Sequence, residues 1–224
     1  MNIDASLRRE IKFVANEFFV IQIRSWLETS RLGLRKHFPD RIVNNIYYDT
    51  HSYDAYTDNL DGISKRTKLR YRWYGSSQTP VAGRIELKSR LNAYGAKEFY
   101  SVNFSGNVTK HTQLFRSIKD SVPPEWDALL DFYSVPVIYN RYHRSYFISK
   151  CKRVRVTLDC KHDVMDQRMS NSINTYKKAN SPQYIVVEVK FTPDLTDYVS
   201  SMVADIPMRI SRNSKYINAV NSVR

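Results

Sequence analysis

The chain has 224 residues, which is enough for one large domain with a substantial core, because folding at this length buries about 70% of the unfolded chain's surface. Lysine and arginine total 35 against 22 aspartate and glutamate, a net charge of +13 that indicates an anionic partner: nucleic acid, a membrane surface or a phosphorylated small molecule. The N-terminus lacks the apolar core of a signal peptide and no uncharged apolar run is long enough for a membrane span, so we expect a cytoplasmic protein.

Eight segments alternate between apolar and polar residues, a pattern typical of β-strands. They are 9–15, 42–49, 67–74, 83–89, 99–104, 137–149, 153–159 and 184–191. Helical spacing and capping signals predict six helices: one between Asn16 and Gly33, and others in 50–62, 111–120, 123–133, 195–206 and 214–220. Strands at both ends with helices interspersed predict an α+β protein built on a large, mainly antiparallel sheet or barrel, in a single domain over residues 1–224.

The two cysteines, Cys151 and Cys160, flank the predicted strand 153–159. An extended strand would separate them by about 30 Å, well beyond the roughly 7 Å that a disulfide can span. We therefore expect reduced thiols.

Several predicted strands carry two charged residues at positions i and i+2, which places both on one face of the strand. The pairs are Glu10 with Lys12, Arg70 with Arg72, Glu86 with Lys88, Arg153 with Arg155, and Glu188 with Lys190. Apolar or aromatic residues lie between them.

Such strands fit an open sheet whose wet face carries charges for solubility, or a closed barrel with a charged lumen and helices outside. Two cations 4 Å apart repel by roughly 4 kcal/mol at an effective dielectric near 20, so a basic lumen needs a polyanion and metal ions to fill it. Composition does not decide between the two.

An ordered set of motifs resembles a known family. The motifs are "RREIK", "VNNIYYDT", "RTKLRYRWY", "IELKSR", "YNRYHRSYF", "VRVTLD", "VVEVKF" and "SKY". Their order is similar to that in VTC domains, the catalytic module of the vacuolar transporter chaperone polyphosphate polymerases. These belong to the CYTH or triphosphate tunnel metalloenzyme superfamily. The resemblance runs from about Arg8 to Tyr216.

The resemblance implies a closed, mainly antiparallel eight-stranded barrel, with charged side chains lining a triphosphate tunnel and helices packed outside. It implies that phosphates are bound by Lys12, Arg70, Arg72, Lys88, Arg141, Arg155 and Lys190, and that Lys97 and Lys215 match weaker substrate-binding positions. Glu188 matches the carboxylate that holds a divalent metal, Mn²⁺ or Mg²⁺. Glu10 and Glu86 are expected in the same lumen as outer metal ligands or charge partners.

One departure from the superfamily bears on function. Hydrolytic members begin with Glu-X-Glu-X-Lys, whereas this chain has Arg8 at the first glutamate position. Losing a carboxylate weakens a second metal site that could activate water, so the pattern is closer to the polymerase branch. The implied function is a metal-dependent polyphosphate polymerase that transfers the γ-phosphoryl of ATP to a growing chain. The alternatives are an inorganic or nucleoside triphosphatase and a non-catalytic module that binds polyphosphate or RNA. No RNA-binding module signature is present, so nucleic acid is not the expected partner, and the sequence identifies no membrane or regulatory protein partner.

Overall fold

The computed structural model describes residues 9–91, 94–104 and 106–224, which form one antiparallel sheet with α-helices packed against it. The strands are β1 (Arg9–Asn16), β2 (Arg35–Asp49), β3 (Lys65–Tyr74), β4 (Gly83–Leu91), β5 (Tyr94–Val102), β6 (Val135–Ile148), β7 (Arg155–Asp166), β8 (Tyr184–Phe191) and β9 (Arg209–Ile210). The helices are α1 (Val20–Thr29), α2 (Asp54–Leu60), α3 (His111–Lys119), α4 (Asp127–Phe132), α5 (Thr196–Met202) and α6 (Lys215–Asn221). Each predicted strand and helix has a counterpart, and β9 is the strand that the sequence did not predict.

The strands are ordered β5-β4-β3-β2-β6-β7-β8-β1-β9, and each neighbouring pair is antiparallel. Within the described ranges, backbone pairing leaves β5 and β9 as the two edges. The predicted eight-stranded closed barrel is therefore corrected to a nine-stranded sheet without hydrogen-bonded closure. Part of the free side of β1 is taken by β9, whose two residues pair with Phe13 and Val14.

The sheet is nevertheless strongly curled. Lys68 on β3 donates a hydrogen bond to Ser214 Oγ (3.0 Å), and Lys12 on β1 donates one to the carbonyl of Asn213 (3.4 Å). In a flat sheet these two strands would lie five strand spacings apart, about 24 Å. Because both lysines reach adjacent residues, the β3 side and the β1 side of the sheet must face each other.

The apolar residues between the charged ones face away from the inside of this curl. Leu69, Tyr71 and Trp73 are fully buried in a cluster covered by α2, α3 and α4. Val187 and Val189 are fully buried in a second cluster, which α1 and α5 cover. Each side chain of this size contributes about 1.5–3 kcal/mol when it is removed from water, so these helices fix which face of the sheet is the outer one.

Helix α6 departs from the expectation that the helices lie outside. Ser214 caps it, and Lys215 reaches Asp159 on β7 at 2.6 Å. Tyr216 stacks on Tyr47 with ring centroids 5.2 Å apart. Although the rest of α6 packs into the outer apolar cluster, its first turn contacts the inside of the curl.

Two further sequence expectations can be compared with the structure. Cys151 is exposed, Cys160 is buried, and neither forms a disulfide. Among the described residues, every helix is too short or too polar to cross a bilayer.

Candidate functional site

The inside of the curled sheet is lined by ionisable side chains, and we call it the charged face. Its cations come from β1, β3, β4, β5, β6, β8 and α6, and its carboxylates from β1, β4, β7 and β8. The cations are Lys12, Lys68, Arg70, Arg72, Arg84, Lys88, Lys97, Arg144, Lys190 and Lys215, and the carboxylates are Glu10, Glu86, Asp159 and Glu188. Cations outnumber carboxylates on this face, so it attracts anions.

Glu86 on β4 is enclosed by cations. Arg70 donates to its Oε2 through Nε (2.9 Å) and Nη2 (2.7 Å), and Arg72 Nη1 lies 3.7 Å from the same oxygen. Its Oε1 lies 2.6 Å from Arg84 Nε and 3.0 Å from Lys97 Nζ. Burial opposes ionisation of this carboxyl, which is 1% exposed, but Arg70 and its neighbours hold its pKa well below the usual range. Glu86 is therefore an anion that keeps the arginines extended and aligned.

Asp159 on β7 forms a second buried cluster. Arg144 binds it in a bidentate manner, with Nε 2.6 Å from Oδ1 and Nη2 2.7 Å from Oδ2. Lys215 lies 2.6 Å from Oδ2. Burial alone would raise the pKa of this carboxyl, but Arg144 and Lys215 lower it far below its ordinary value. The pairing joins α6 to the charged face.

Glu10, Lys12, Glu188 and Lys190 alternate across the paired strands β1 and β8. Glu10 is opposite Lys190 and Lys12 is opposite Glu188. Ion pairs of 2.7 Å join Glu10 to Lys12 and Glu188 to Lys190, and one of 3.4 Å joins Glu10 to Lys190. Burial disfavours the charge on Glu188, but Lys190, contact with Glu10, and Arg144 hold its pKa well below the usual range. The two glutamates therefore lie side by side, and a metal ion would replace lysine contacts that both of them make.

This glutamate pair fits a hard divalent cation, because Mg²⁺ commonly binds through one or two carboxylates and completes its coordination with water and substrate phosphates. The described residues hold no group of three or more His, Cys, Asp and Glu side chains that could bind a metal unaided. Glu86 fits a metal less well than this pair, since four cations contact its oxygens and its side chain is 1% exposed, whereas Glu10 and Glu188 each have two cations within ion-pair distance and their side chains are 27% and 11% exposed. Of the two roles expected for Glu86, the geometry favours charge partner.

Lys68 and Lys88 are cross-strand neighbours on β3 and β4. Within the described ranges neither lies within ion-pair distance of a carboxylate. Burial lowers the pKa of Lys68 to about 7, and the charges of Lys88 and Lys12 add to the effect. The pKa of Lys88 is lowered too, first by desolvation and then by Lys12, although Glu10 opposes this. These two ammonium groups form the part of the charged face that most lacks an anion.

The arrangement of cations from both sides of a curled antiparallel sheet agrees with a comparison of the sequence with known families. The sequence model of the VTC domain matches residues 7–224. The chain belongs to the VTC domain family. No relative was found among curated protein sequences.

Solved structures share the fold of this VTC domain. One is HpAC1 from Hippeastrum, for which a dominant triphosphatase activity is described; it is 14% identical with a TM-score of 0.54, over 100% of this chain and 97% of that one. Another is the PH1819 protein from Pyrococcus horikoshii OT3, which is 12% identical with a TM-score of 0.50, over 97% of this chain and 99% of that one. At these identities the likeness shows the fold alone.

Most of the residues singled out from the sequence come together in the VTC domain. Lys12, Arg70, Arg72, Lys88, Lys97, Lys190 and Lys215, with Glu10, Glu86 and Glu188, all lie on the charged face. Arg155 alternates with the buried Val154 and Val156, which places it on the same side of β7, but it is exposed. Arg8 lies outside the described residues.

Arg141 is the exception. It lies on the outer side of β6, opposite Asp163, and donates a 3.4 Å hydrogen bond to the carbonyl of Ser76. The expectation that Arg141 shares the lumen is wrong because Arg141 and Arg144 are three positions apart, an odd number that puts them on opposite faces of a strand. Arg144 is the arginine of this motif that reaches the charged face.

The structure adds Lys68, Arg84, Arg144 and Asp159 to the site. The sequence held a signal for three of them. Side chains an even number of positions apart on a strand share a face. Lys68 is two positions from Arg70, Arg84 is two positions from Glu86, and Asp159 is four positions from Arg155. In the "YNRYHRSYF" motif, the two arginines are three positions apart and so lie on opposite faces, and the spacing alone does not show which of them faces inward.

Proposed function

We propose that this VTC domain is a metal-dependent polyphosphate polymerase, which transfers the γ-phosphoryl group of ATP to the end of a phosphate chain held along the charged face. The carrying observation is the convergence of cations from opposite sides of the curled sheet around Lys68 and Lys88, neither of which has a carboxylate within ion-pair distance in the described part of the chain. A linear polyanion would supply the missing charge. Family membership supports the proposal, and the triphosphatase activity named for HpAC1 supports a triphosphate as the substrate class.

Phosphoryl transfer depends mainly on positioning and on neutralising the charge that spreads over the phosphoryl oxygens. Arg70 and Arg72 suit this role because a guanidinium stays protonated and binds phosphate oxygens in a bidentate manner. Glu86 already holds both side chains in place. Little reorganisation would therefore be needed when phosphate oxygens replace part of the Glu86 contacts.

Glu188 on β8 and Glu10 on the neighbouring strand β1 would hold the divalent metal. When bound, the metal would neutralise charge and orient the triphosphate. Lys190 and Lys12 pair with these glutamates and would turn to the phosphates when substrate binds.

The acceptor determines whether a general base is needed. A terminal phosphate is already ionised, so a polymerase needs none. His162 is an unsuitable base because burial lowers its pKa to about 3 and its ring is stacked 4.4 Å from Tyr184. A triphosphatase is the second candidate, favoured by the fold shared with HpAC1. It would need a water oriented by the metal or by a carboxylate on the charged face.

Product analysis tests the proposal. The protein is incubated with ATP, Mn²⁺ or Mg²⁺, and tripolyphosphate as primer, and the phosphate products are resolved by size. Long chains are the expected result. Orthophosphate and pyrophosphate without any longer chain would favour the triphosphatase over the polymerase, and no turnover with either metal would refute both. Arg72→Ala should abolish turnover, whereas the matched variant Arg141→Ala, on the outer face of the sheet, should retain it.

A further inference from the structure

The charged face continues beyond Lys68 and Lys88 to a group of three arginines, Arg66, Arg90 and Arg212, which we call the arginine end. Arg66 on β3 is directly opposite Arg90 on β4, and each lies two positions from the lysine of its strand, on the same face. Arg212 lies in the link between β9 and α6. After desolvation, the charges of Arg90 and Arg212 lower the pKa of Arg66, so the three guanidinium groups are close enough to repel one another.

Hydrogen bonds on both sides of Arg212 fix the link that carries it. The N–H of Ser211 donates to the carbonyl of Lys12 on β1 (2.9 Å). Two residues after Arg212, Ser214 Oγ accepts from Lys68 on β3 (3.0 Å). The backbone of Arg212 is therefore held between β1 and β3, and an anion that binds there has little backbone to order.

Arg66 and Arg212 have donors free for an anion. Arg66 is half-buried, and its Nη1 donates to the carbonyl of Ile63 at 2.9 Å, which orients the guanidinium and leaves its other N–H groups for a ligand. Arg212 is exposed. In the parts of the chain that the structure describes, neither of these two arginines lies within ion-pair distance of a carboxylate. The arginine end is thus open to solvent and attracts anions.

Distance along the sheet decides which anions can reach this end from the rest of the charged face. Arg66 lies four positions from Arg70 and six from Arg72, which is about 13 and 20 Å along an extended strand. Each phosphate adds two bonds to an extended chain where a residue adds three, so three phosphates span less than three residues do. A triphosphate held by Arg70 and Arg72 therefore ends before Arg66, whereas a longer chain continues to it.

We propose that the arginine end is a further phosphate subsite, which binds the distal phosphates of a polyphosphate chain and makes the affinity of this domain depend on chain length. The inference rests on the proposed function, because it takes the proximal phosphates to lie at Arg70 and Arg72. RNA fits this end less well than polyphosphate does. The inward residues of β3 and β4 here are all lysine or arginine, so they offer no aromatic ring on which a base could stack.

Isothermal titration calorimetry at fixed ionic strength, without ATP, tests the subsite. The ligands are tripolyphosphate and a chain of about ten phosphates, which is long enough to pass the roughly 20 Å between Arg72 and Arg66. The wild type should bind the longer chain more tightly. The double variant Arg66→Gln, Arg212→Gln should lower affinity for the longer chain about 10-fold, as expected for the loss of charge-assisted hydrogen bonds. Its affinity for tripolyphosphate should stay within about 2-fold of wild type, which also shows that the variant is folded.

A matched control removes the same charge from the outer side of the sheet. Lys65→Gln with Arg116→Gln changes two exposed cations, one on β3 and one on α3, and should leave both affinities unchanged. Failure of the longer chain to bind more tightly than tripolyphosphate would overturn the proposal. So would an equal loss for both ligands in the double variant, or the same loss in the control.

Two further outcomes separate this inference from neighbouring ones. Displacement of the ten-phosphate chain by a uridine homopolymer at equal phosphate concentration would identify RNA as the ligand and overturn the subsite. Binding without any dependence on chain length would remove the subsite and leave the polymerase proposal standing. Length-dependent binding that needs Arg66 and Arg212, in a protein that makes no chain from ATP, would support the subsite and refute the polymerase.

Discussion

Replacing Lys68 with methionine should stabilise the empty protein. The substitution keeps most of the apolar length of the side chain but removes an ammonium group that lies near Lys88, Lys12 and Arg70 without a carboxylate partner within the described ranges. The stabilisation should depend on pH, because the folded protein holds the Lys68 proton much less tightly than the unfolded chain does.

The magnitude follows from the pKa. Its fall from 10.5 to about 7 corresponds to roughly 5 kcal/mol at about 1.4 kcal/mol per pH unit. Lys68 is half-buried, so water and salt screen about half of this, and the lost hydrogen bond to Ser214 removes about 1 kcal/mol more. A net gain of about 1–2 kcal/mol remains, which raises Tm by about 2–8 °C for a chain of this size.

The sign of the pH dependence is fixed by the direction of the pKa change. Below pH 7 Lys68 is charged in both states, and the folded state carries the full unfavourable term. Between pH 7 and 10.5 the unfolded chain binds more protons than the folded one, so wild-type stability rises with pH and the advantage of the variant shrinks.

Thermal unfolding at pH 6, 8 and 9.5 measures the effect. Lys68→Met should exceed the wild type most at pH 6. Lys65→Met, at an exposed position of the same strand, is the control and should change little at any pH. A variant that is less stable at pH 6, or whose advantage grows with pH, would refute the reasoning. Tripolyphosphate should reverse the order, because a bound phosphate gives the wild-type ammonium its missing partner.

Three further variants test two carboxylates of the charged face and one apolar residue of the outer face. Glu86→Gln should destabilise the empty protein by about 3 kcal/mol, since it leaves Arg70 and its neighbours without their buried anion, and tripolyphosphate should restore part of the loss in a melting experiment. Asp159→Asn should lower stability by a similar amount and loosen α6, because Arg144 and Lys215 lose their shared partner. Faster hydrogen exchange in α6 is the readout, and unchanged exchange would contradict the inference that Asp159 holds α6 against the sheet. Val187→Asp should prevent folding by burying an unpaired charge under α1 and α5, and a native circular dichroism spectrum would count against that packing.

The alternation of side chains between the two faces of a strand accounts for most of what the sequence revealed about the fold and the site. In "KLRYRWY" it placed Arg70 and Arg72 on one face with Leu69, Tyr71 and Trp73 on the other, and the structure has this arrangement. This alternation depends only on the local backbone, so the predicted face of a side chain was correct wherever the strand was regular.

What the sequence did not reveal depends on contacts between distant segments. Two residues are too few to produce a strand pattern, so β9 was not predicted. The contacts of Asn213 and Ser214 with lysines on β1 and β3 join residues that no periodicity connects. Arg141 shows a different difficulty, because its motif holds arginines of both parities and only the tertiary structure decides which one faces inward.

The pairing of β1 with β8 has a consequence for synthesis of the protein. Arg9 is opposite Phe191, so the first strand has to wait until nearly the whole sheet has been translated before it meets its partner. At about 5–20 residues per second this wait lasts on the order of 10–40 s. During that time Phe13 and the other apolar residues of β1 have no cover and can associate with a neighbouring nascent chain. Slower expression at low temperature or added chaperone capacity should therefore increase the soluble yield of this domain more than substitutions in its outer helices would.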